Sequence, residues 1–507
     1  MDPNKAYDVV VIGGGLAGLS AAFRLKQRSP KLAVIILEAK DRVGGRTLTI
    51  EAEGQNGVKD WFDLGGHWVS DSQKDIMELL HHFNISYYPQ NVSGTKILQV
   101  GDGAIRTYES DIPSLGSWIA LIQLQLFITK VESLARKFDV NDPFASHPSL
   151  AKYYDSMTAA SFLHAHLAHQ SVYQIFNAGI LAVMGCDITQ VSMLFLLTYA
   201  NSAGGLQKLL LVENQSAQQY KVKGGTQQIC LKLLESVGRK QLLLNRKVVL
   251  VDQSGVETSV KCANGEEYTC KHVICTLPLG QMTKMEILPK LSQAKQVLSR
   301  QMRMGNLSKV YLFYPTDFWN RKGFSGEVVC YRGPFSPHEE IEQPICVMYD
   351  ATTSKGVAVL KGFLGGQTSD YWMDQPLETR KKAVLKQMVS YFGEDARSPI
   401  KYIEKTWTDE DAIEGGPVEY LPPGFMHHFN GIRDSEGRIH FAGTATATDW
   451  TGYLSGAAQS GFRAASEVLH QLDPDQLTEK DHDYLKPKTP KKEAPTFIGQ
   501  ILGKFGY

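Results

Sequence analysis

The segment YDVVVIGGGLAGLSAAFRL, which starts at Tyr7, and the LAVIILE that follows it constrain this chain more than any other stretch. Tyr7–Ile12 is an apolar, β-branched run, the composition of a strand covered on both faces. Gly13, Gly15 and Gly18 then form G-x-G-x-x-G ahead of a helical stretch. Gly13 permits a tight turn, Gly15 lets a pyrophosphate approach the backbone, and Gly18 lets the helix pack on the sheet. The helix N-terminus offers the phosphates free N–H groups and the positive end of its dipole. The next strand ends at Glu38, twenty residues after Gly18, where a carboxylate accepts hydrogen bonds from ribose hydroxyls. A lone glycine pattern is weak; strand, turn, helix, strand and acid in this order predict a dinucleotide site on an α/β sheet.

A second loop narrows the choice of dinucleotide. After Glu38 comes AKDRVGGRT, with Arg42, Gly44, Gly45 and Arg46, which an NAD site does not need. Further along stand FDLGGHWV at 62–69, VKGGTQQ at 222–228, VICTLPLG at 273–280, MGNLSKVYLFY at 304–314 and HFAGTATATDWTGYLSGAAQSGFRAA at 440–465. On these segments, in this order, the chain resembles the flavin-containing monoamine oxidases, with polyamine and L-amino-acid oxidases as relatives. The resemblance runs in pieces from about residue 7 to about residue 469. It implies an α/β, two-domain FAD-dependent amine oxidase fold: a Rossmann-like FAD domain with an interleaved α+β substrate-binding domain. The expected division is 1–85, 206–290 and 400–472 for the FAD domain, 86–205 and 291–399 for the substrate domain, and 473–507 for a C-terminal tail.

Composition fits a large folded enzyme. A chain of 507 residues buries a sizeable core and holds more than one domain. Its formal net charge of zero gives no global field toward nucleic acid or anionic membrane. The seven cysteines are odd in number and form no C-x-x-C, which favours thiols in a reducing compartment. A strand begins within the first ten residues, leaving no room for a signal peptide. No apolar run of about 18 residues or more is evident, so no transmembrane helix is expected. A cytoplasmic setting is the expectation. The mitochondrial members of the resembled family end in a membrane-spanning helix. Here 486–493 is rich in proline and lysine, and 497–507 is short and mostly apolar. That end reads as an extended tail or a strip docked on the body, with weak peripheral membrane contact as the alternative.

The remaining pattern suggests interleaved layers. Residues 110–138 and 150–184 carry apolar residues at helical spacing, and 226–237, 379–392 and 455–472 also read as helices. Strands are expected in LNRKVVLVDQ, VICTLPLG, 302–314, 328–331, 357–363 and 438–443, whereas 91–103 reads as turn-like.

The resemblance also assigns roles. Lys309 lies in a run whose next five residues are apolar or aromatic, and a lysine there is costly to bury without a task. It matches the lysine that the family places beside flavin N5 through a water, for oxygen activation or imine hydrolysis. Tyr453 matches one of two tyrosines that sandwich the amine. The other falls near Pro417 or Val418, neither aromatic, with Tyr420 turned to the other face of an extended segment. The cysteine that binds FAD covalently in monoamine oxidases is also missing, with Gly416 or Pro417 in its place, so FAD is expected to be held non-covalently. Ala445 replaces a usual acid, and Ser202 stands where those enzymes line the pocket with glutamine. Gly65 and Gly66 are expected to set a backbone loop against the isoalloxazine, with His67 beside substrate or satisfied beneath the loop. Val248 is expected at the adenine, Trp407 at the dimethylbenzene side or cavity wall, and Gly443, Thr444, Gly452 and Leu454 at the phosphate and pyrimidine ends. Asp409, Glu410 and Asp411 read as a solvated charge run, and no His/Cys/Asp cluster has metal spacing.

The implied partners are a small amine and oxygen, with no nucleic acid; the oligomeric state, a homodimer included, stays open. The implied reaction takes an amine to an imine and oxygen to hydrogen peroxide. Two alternatives stay open: a flavin-binding protein with little turnover, favoured by the half cage and Ala445, and an L-amino-acid oxidase, which needs a cavity arginine at no position matched here.

Overall fold

The computed structural model describes residues 6–100, 103–109, 115, 117–212, 215–331 and 343–487. Two large sheets organise it. The first has eight strands, in the order Leu242–Leu243, Val34–Leu37, Tyr7–Ile12, Glu267–Cys275, Thr258–Cys262, Val248–Asp252 and Glu286–Leu288, with Ile439–Phe441 also pairing with Glu267–Cys275. Tyr7–Ile12 sits between parallel neighbours on both sides, so its row of apolar residues is buried from both faces. Val9 and Val11 pack toward the helices Leu16–Arg28, Gln227–Val237 and Leu454–Leu472, while Val10 and Ile12 join the larger core on the opposite face. The chain is therefore α/β around this sheet, as the glycine motif requires.

The second sheet has seven strands: Lys401–Lys405, Leu307–Phe313, Val359–Gly365, Val347–Asp350, Phe324–Cys330, Thr95–Gln99 and Ile105–Tyr108. All but one of its pairings are antiparallel. Alternation divides Leu307–Phe313 between two surroundings. Val310 and Leu312 pack with residues of the helix Leu377–Phe392, and Tyr311 and Phe313 pack with Phe62 and Leu64. Lys309 shares the second face, which turns it toward the 62–69 loop.

Some expectations change. The 91–103 stretch is not merely a turn: Thr95–Gln99 is a strand, paired in parallel with Phe324–Cys330. Ile97 and Leu98 are both buried, so the segment shows no alternation; it pairs with nearby Ile105–Tyr108 on one side and, on the other, with a strand more than two hundred residues away. The helix Trp118–Ala135 has 18 residues and a mean hydropathy of 1.2, long and apolar enough by composition to cross a membrane, contrary to the expectation that no segment was. Ala120, Leu124, Phe127 and Val131 bury one of its faces in the core, while Trp118, Ile119, Ile122 and Leu126 leave the outer face apolar and exposed. In the C-terminal stretch, Thr478 and Asp481 close a capping box on the helix Glu479–Leu485. Asp481 is also buried against Arg24 and Arg28, which anchors that helix to Leu16–Arg28. The expected extended and apolar segments beyond 487 lie outside the described residues. All seven cysteines are buried and free.

Candidate active site

A cavity of about 290 Å³ is lined from both sheets. Its first half is built mainly of backbone. Gly13 holds φ at +106°, and a Cβ there would stand 2.3 Å from Thr276 Oγ1, so the turn at the end of the first strand needs glycine. Two helices, Leu16–Arg28 and Leu454–Leu472, open here, with Gly15 and Tyr453 at their N-caps and no side chain capping either. Their first-turn N–H groups and positive dipole ends thus remain available to a diphosphate. Glu38 Oε2 accepts from Gly14 N at 2.6 Å, and Oε1 accepts from Lys40 N at 2.9 Å. Burial pushes the Glu38 carboxyl up despite these bonds, a cost that ligand hydroxyls bonded to it would lower. Val248 lines the wall beyond it.

The second half is built of side chains. Lys309 is buried and its strand is interior to the sheet, not an edge. Its Nζ donates to Asp63 O at 3.0 Å and to Gly65 O. Tyr311 Oη donates to the same Asp63 carbonyl at 2.5 Å. The strand thereby clamps the loop that carries Gly65 and Gly66 into the cavity. The loop cannot back away: a Cβ on Gly65 would lie 2.0 Å from Arg46 O. Burial lowers the Lys309 pKa to about 8, against the pull of Asp63. The Asp63 carboxylate is held beneath the loop by Thr49 Oγ1 at 2.6 Å and Thr226 N at 2.8 Å.

His67 follows the two glycines and lines the cavity. Both its ring nitrogens are buried without a hydrogen-bond partner, with Nδ1 3.3 Å from Asp63 Oδ2. Burial, reinforced by the neighbouring lysines Lys361, Lys309 and Lys221, pushes His67 well below the ordinary histidine range, so it is neutral. Trp407 also reaches the cavity, with Nε1 donating to Leu64 O at 3.1 Å. Tyr453 lies on the wall, and Tyr199 stacks behind it at 6.4 Å between ring centres and 21° between planes. Tyr199 is outside the lining, so it backs the cage tyrosine and does not replace its partner. Pro417, Phe363, Leu307, Val183 and Trp68 supply the rest of this end.

One cavity thus gathers Gly13, Gly15, Glu38, Gly45, Arg46, Gly65, Gly66, Val248, Lys309, Trp407, Gly443, Thr444, Gly452, Tyr453 and Leu454. Gly18 and Arg42 stand outside the lining. Gly18 lies against Gly13 O, where the helix meets the turn. Arg42 instead braces the loop, donating to Gly45 O at 3.0 Å and pairing with Glu410 at 3.5 Å. Glu410 is correspondingly no solvated charge. Burial opposes its ionisation, but Lys40 and Lys405 bond to it and hold its pKa at about 2. Ala445 is buried off the cavity, and Ser202 faces Tyr199 O at 2.7 Å.

The sequence pattern of the family described as flavin containing amine oxidoreductase matches residues 16–469. The chain belongs to the flavin-containing amine oxidase family. It is 32% identical to the probable flavin-containing monoamine oxidase A of Dictyostelium discoideum, over 92% of this chain and 98% of that one. It is 31% identical to the flavin-containing amine oxidase A of Canis lupus familiaris, over 96% and 89%. Cyclohexylamine oxidase from Brevibacterium oxydans superposes with a TM-score of 0.84 at 26% identity, covering 92% of this chain and 99% of that one. Putrescine oxidase shares the fold, with a TM-score of 0.83 at 24% identity. As a family member the chain is a flavin-dependent oxidoreductase acting on amines, with the two-domain amine oxidase fold.

Sequence reasoning missed three parts of this amine oxidase site. Arg46 Nη1 donates to Pro417 O at 2.8 Å and is attracted to buried Glu419, which fixes the wall where a second tyrosine was sought. Tyr199 and Trp68 are the others. Arg46 is marked by its place in the AKDRVGGRT loop, but its hold on Pro417, like the roles of Tyr199 and Trp68, comes from contacts distant in sequence that no local pattern shows.

Proposed function

We propose that this amine oxidase binds FAD non-covalently, oxidises a small amine with one nitrogen and an apolar body to the imine, and passes the electrons to oxygen as hydrogen peroxide. Lys309 and Tyr453 are its working residues. The observation that carries the reading is the single cavity that joins two uncapped helix N-termini and Glu38 to Lys309, His67 and Tyr453. The glycine turn, the open N–H groups and the ribose-type acid fit the adenosine and diphosphate of FAD, and 1–85, 206–290 and 400–472 serve as its domain. None of the seven cysteines lines the cavity, which supports non-covalent attachment.

Bound there, the flavin supplies the two-electron acceptor and the reactivity toward oxygen. The protein supplies position. Tyr453, Phe363 and Pro417 give flat apolar walls for the amine. Lys309 holds the Gly65 loop and, below about pH 8, keeps an ammonium at the cavity. Neutral His67 offers a ring nitrogen to a water or to the amine. The amine reacts uncharged, because its lone pair must feed the C–H bond that breaks.

The lining favours one nitrogen. Glu38, at the far end, is its only acid among the described residues. A second ammonium on the substrate would find no carboxylate at that end of the lining and would meet Lys309. Among the described residues the cavity has two arginines: Arg46 is engaged by Pro417 O and Glu419, and Arg246, beside Val248, is paired with Glu266, which disfavours a substrate carboxylate. The test has two readouts. Acid precipitation should release yellow flavin into the supernatant, and peroxide should form with arylalkyl- or cycloalkyl-monoamines far faster than with diamines or amino acids. Flavin that stays with the precipitate overturns non-covalent attachment; flavin without peroxide for any amine favours the binding-protein alternative.

A further inference from the structure

The sheet face that carries Lys309 carries a second buried lysine. Lys361, in Val359–Gly365, stands opposite Tyr311 on one neighbouring strand and Tyr349 on the other. Its side chain is fully buried, and Nζ has no hydrogen-bond partner. Nζ lies instead 3.5 Å from the centre of the Trp68 ring and 5.3 Å from that of Phe363. Both rings line the amine end of the cavity, so Lys361 sits one aromatic layer behind it. Trp68 is pinned from the other side, its Nε1 donating to Gln90 Oε1 at 2.9 Å, and its ring meets His67 edge-on at 5.1 Å.

A lysine in this position is unusual on physical grounds. An ammonium here has exchanged its water shell for one indole face and no acceptor. The two carboxylates that attract it are already engaged, Asp63 by Thr49 and Thr226, and Asp350 by Trp319 and Asn320. Lys309 and Lys221 add like charge, and His67 is neutral. Tyr311 and Tyr349, the facing phenols, are both pushed up by burial and carry no charge. Burial, followed by the two neighbouring ammoniums, drives the Lys361 amine well below the ordinary lysine range.

We propose that Lys361 is a positioning residue acting through Trp68 and His67: an uncharged amine at rest, it takes up one proton when negative charge builds on the far side of the Trp68–Phe363 wall. This rests on the proposed oxidase reading. Breaking the substrate C–H bond delivers a hydride, two electrons with one proton, to the flavin. The substrate leaves as a cation, and one negative charge remains in the cavity. A proton from water then adds to the Lys361 lone pair and balances that charge. When oxygen takes the two electrons, it leaves as hydrogen peroxide with the hydride's proton and the one released by Lys361.

The test uses the flavin-loaded protein, reduced chemically without any amine, and follows the oxidised–reduced equilibrium against pH. Each proton taken up with the electron pair shifts that equilibrium tenfold per pH unit, about 30 mV for a two-electron couple. Wild type should shift hundredfold per unit near neutral pH, and Lys361→Met, which keeps the side-chain volume, only tenfold. Equal slopes overturn the proposal. If Lys361→Met does not load flavin, Lys361→Gln takes its place, and failure of both to load makes Lys361 a structural residue and also overturns it. The flavin-free protein gives a separate readout. Lys361→Met should resist denaturant better than wild type at neutral pH, with the gap closing as pH rises toward the free lysine pKa, because only the folded state must discharge the amine. A wild type more stable than Lys361→Met at neutral pH would mean a charged, structural lysine. A wild type that binds no flavin would instead defeat the oxidase reading.

Discussion

The two ends of the cavity are built by opposite means. At the nucleotide end the working groups are peptide N–H groups at two uncapped helix starts, held by glycines that admit no side chain. At the amine end they are side chains from separate stretches of chain, Lys309, the adjacent His67 and Trp68, and Tyr453, and all but His67 are fixed by contacts distant in sequence. Backbone sites fail when the chain cannot close; side-chain sites fail when one group is missing. Damage at the first end should therefore remove flavin, and damage at the second should slow chemistry while flavin stays.

The largest effect is expected from Gly18→Val. A Cβ at this position stands 2.0 Å from Gly13 O, a backbone atom that cannot swing aside. The helix would lift from the turn, and the purified protein should carry little or no flavin, read as the ratio of flavin to protein absorbance. A variant that keeps full flavin content breaks the backbone half of the comparison.

Lys309→Met comes next. Its stem volume is conserved, so flavin content should hold. Flavin reoxidation or turnover should fall at least about tenfold, a barrier change of ~1.4 kcal/mol. The same lysine sets a pH signature. Its folded pKa of about 8 lies below the ordinary 10.5, so the ammonium is present below about pH 8 and lost above it. Turnover should climb as the substrate amine deprotonates and then decline past about pH 8 in wild type. That decline should be absent in Lys309→Met, and a falling limb shared by both proteins would assign it elsewhere.

The Glu38 and Lys309 ends also differ in how far the sequence reveals them. The glycine turn and its acid are local, separated by one helix, and physical spacing alone places them. Lys309 is legible because a cation inside an apolar strand is anomalous. Tyr199 and Trp68 give no such signal, because aromatic residues in apolar stretches are ordinary core; Lys361, in the apolar run Val359–Gly365, carries the same anomaly as Lys309, but only the fold shows which rings it packs against. Glu410 misleads for the converse reason. A run of three acids looks solvated, yet Lys40, from the nucleotide motif, folds onto it. The strand Thr95–Gln99 is hidden because both of its faces are covered.

The smallest effect is expected from Tyr453→Leu. Bulk is kept while the flat face is lost, so kcat/KM should fall about tenfold or less with flavin content unchanged, a loss of positioning worth ~1 kcal/mol. Equal efficiency across several amines would show that Tyr453, backed by Tyr199, has no orienting role and that the cavity positions its substrate by other walls.

The central claim is that one cavity brings an amine to a bound flavin. Anaerobic mixing of the purified, flavin-loaded protein with a cycloalkyl- or arylalkylamine tests it most directly. The account predicts that the oxidised flavin absorbance bleaches within the mixing experiment, returns on admitting oxygen, and yields one peroxide per flavin reoxidised. A fully loaded protein whose flavin stays oxidised with every amine tried, while dithionite still reduces it, would contradict the account.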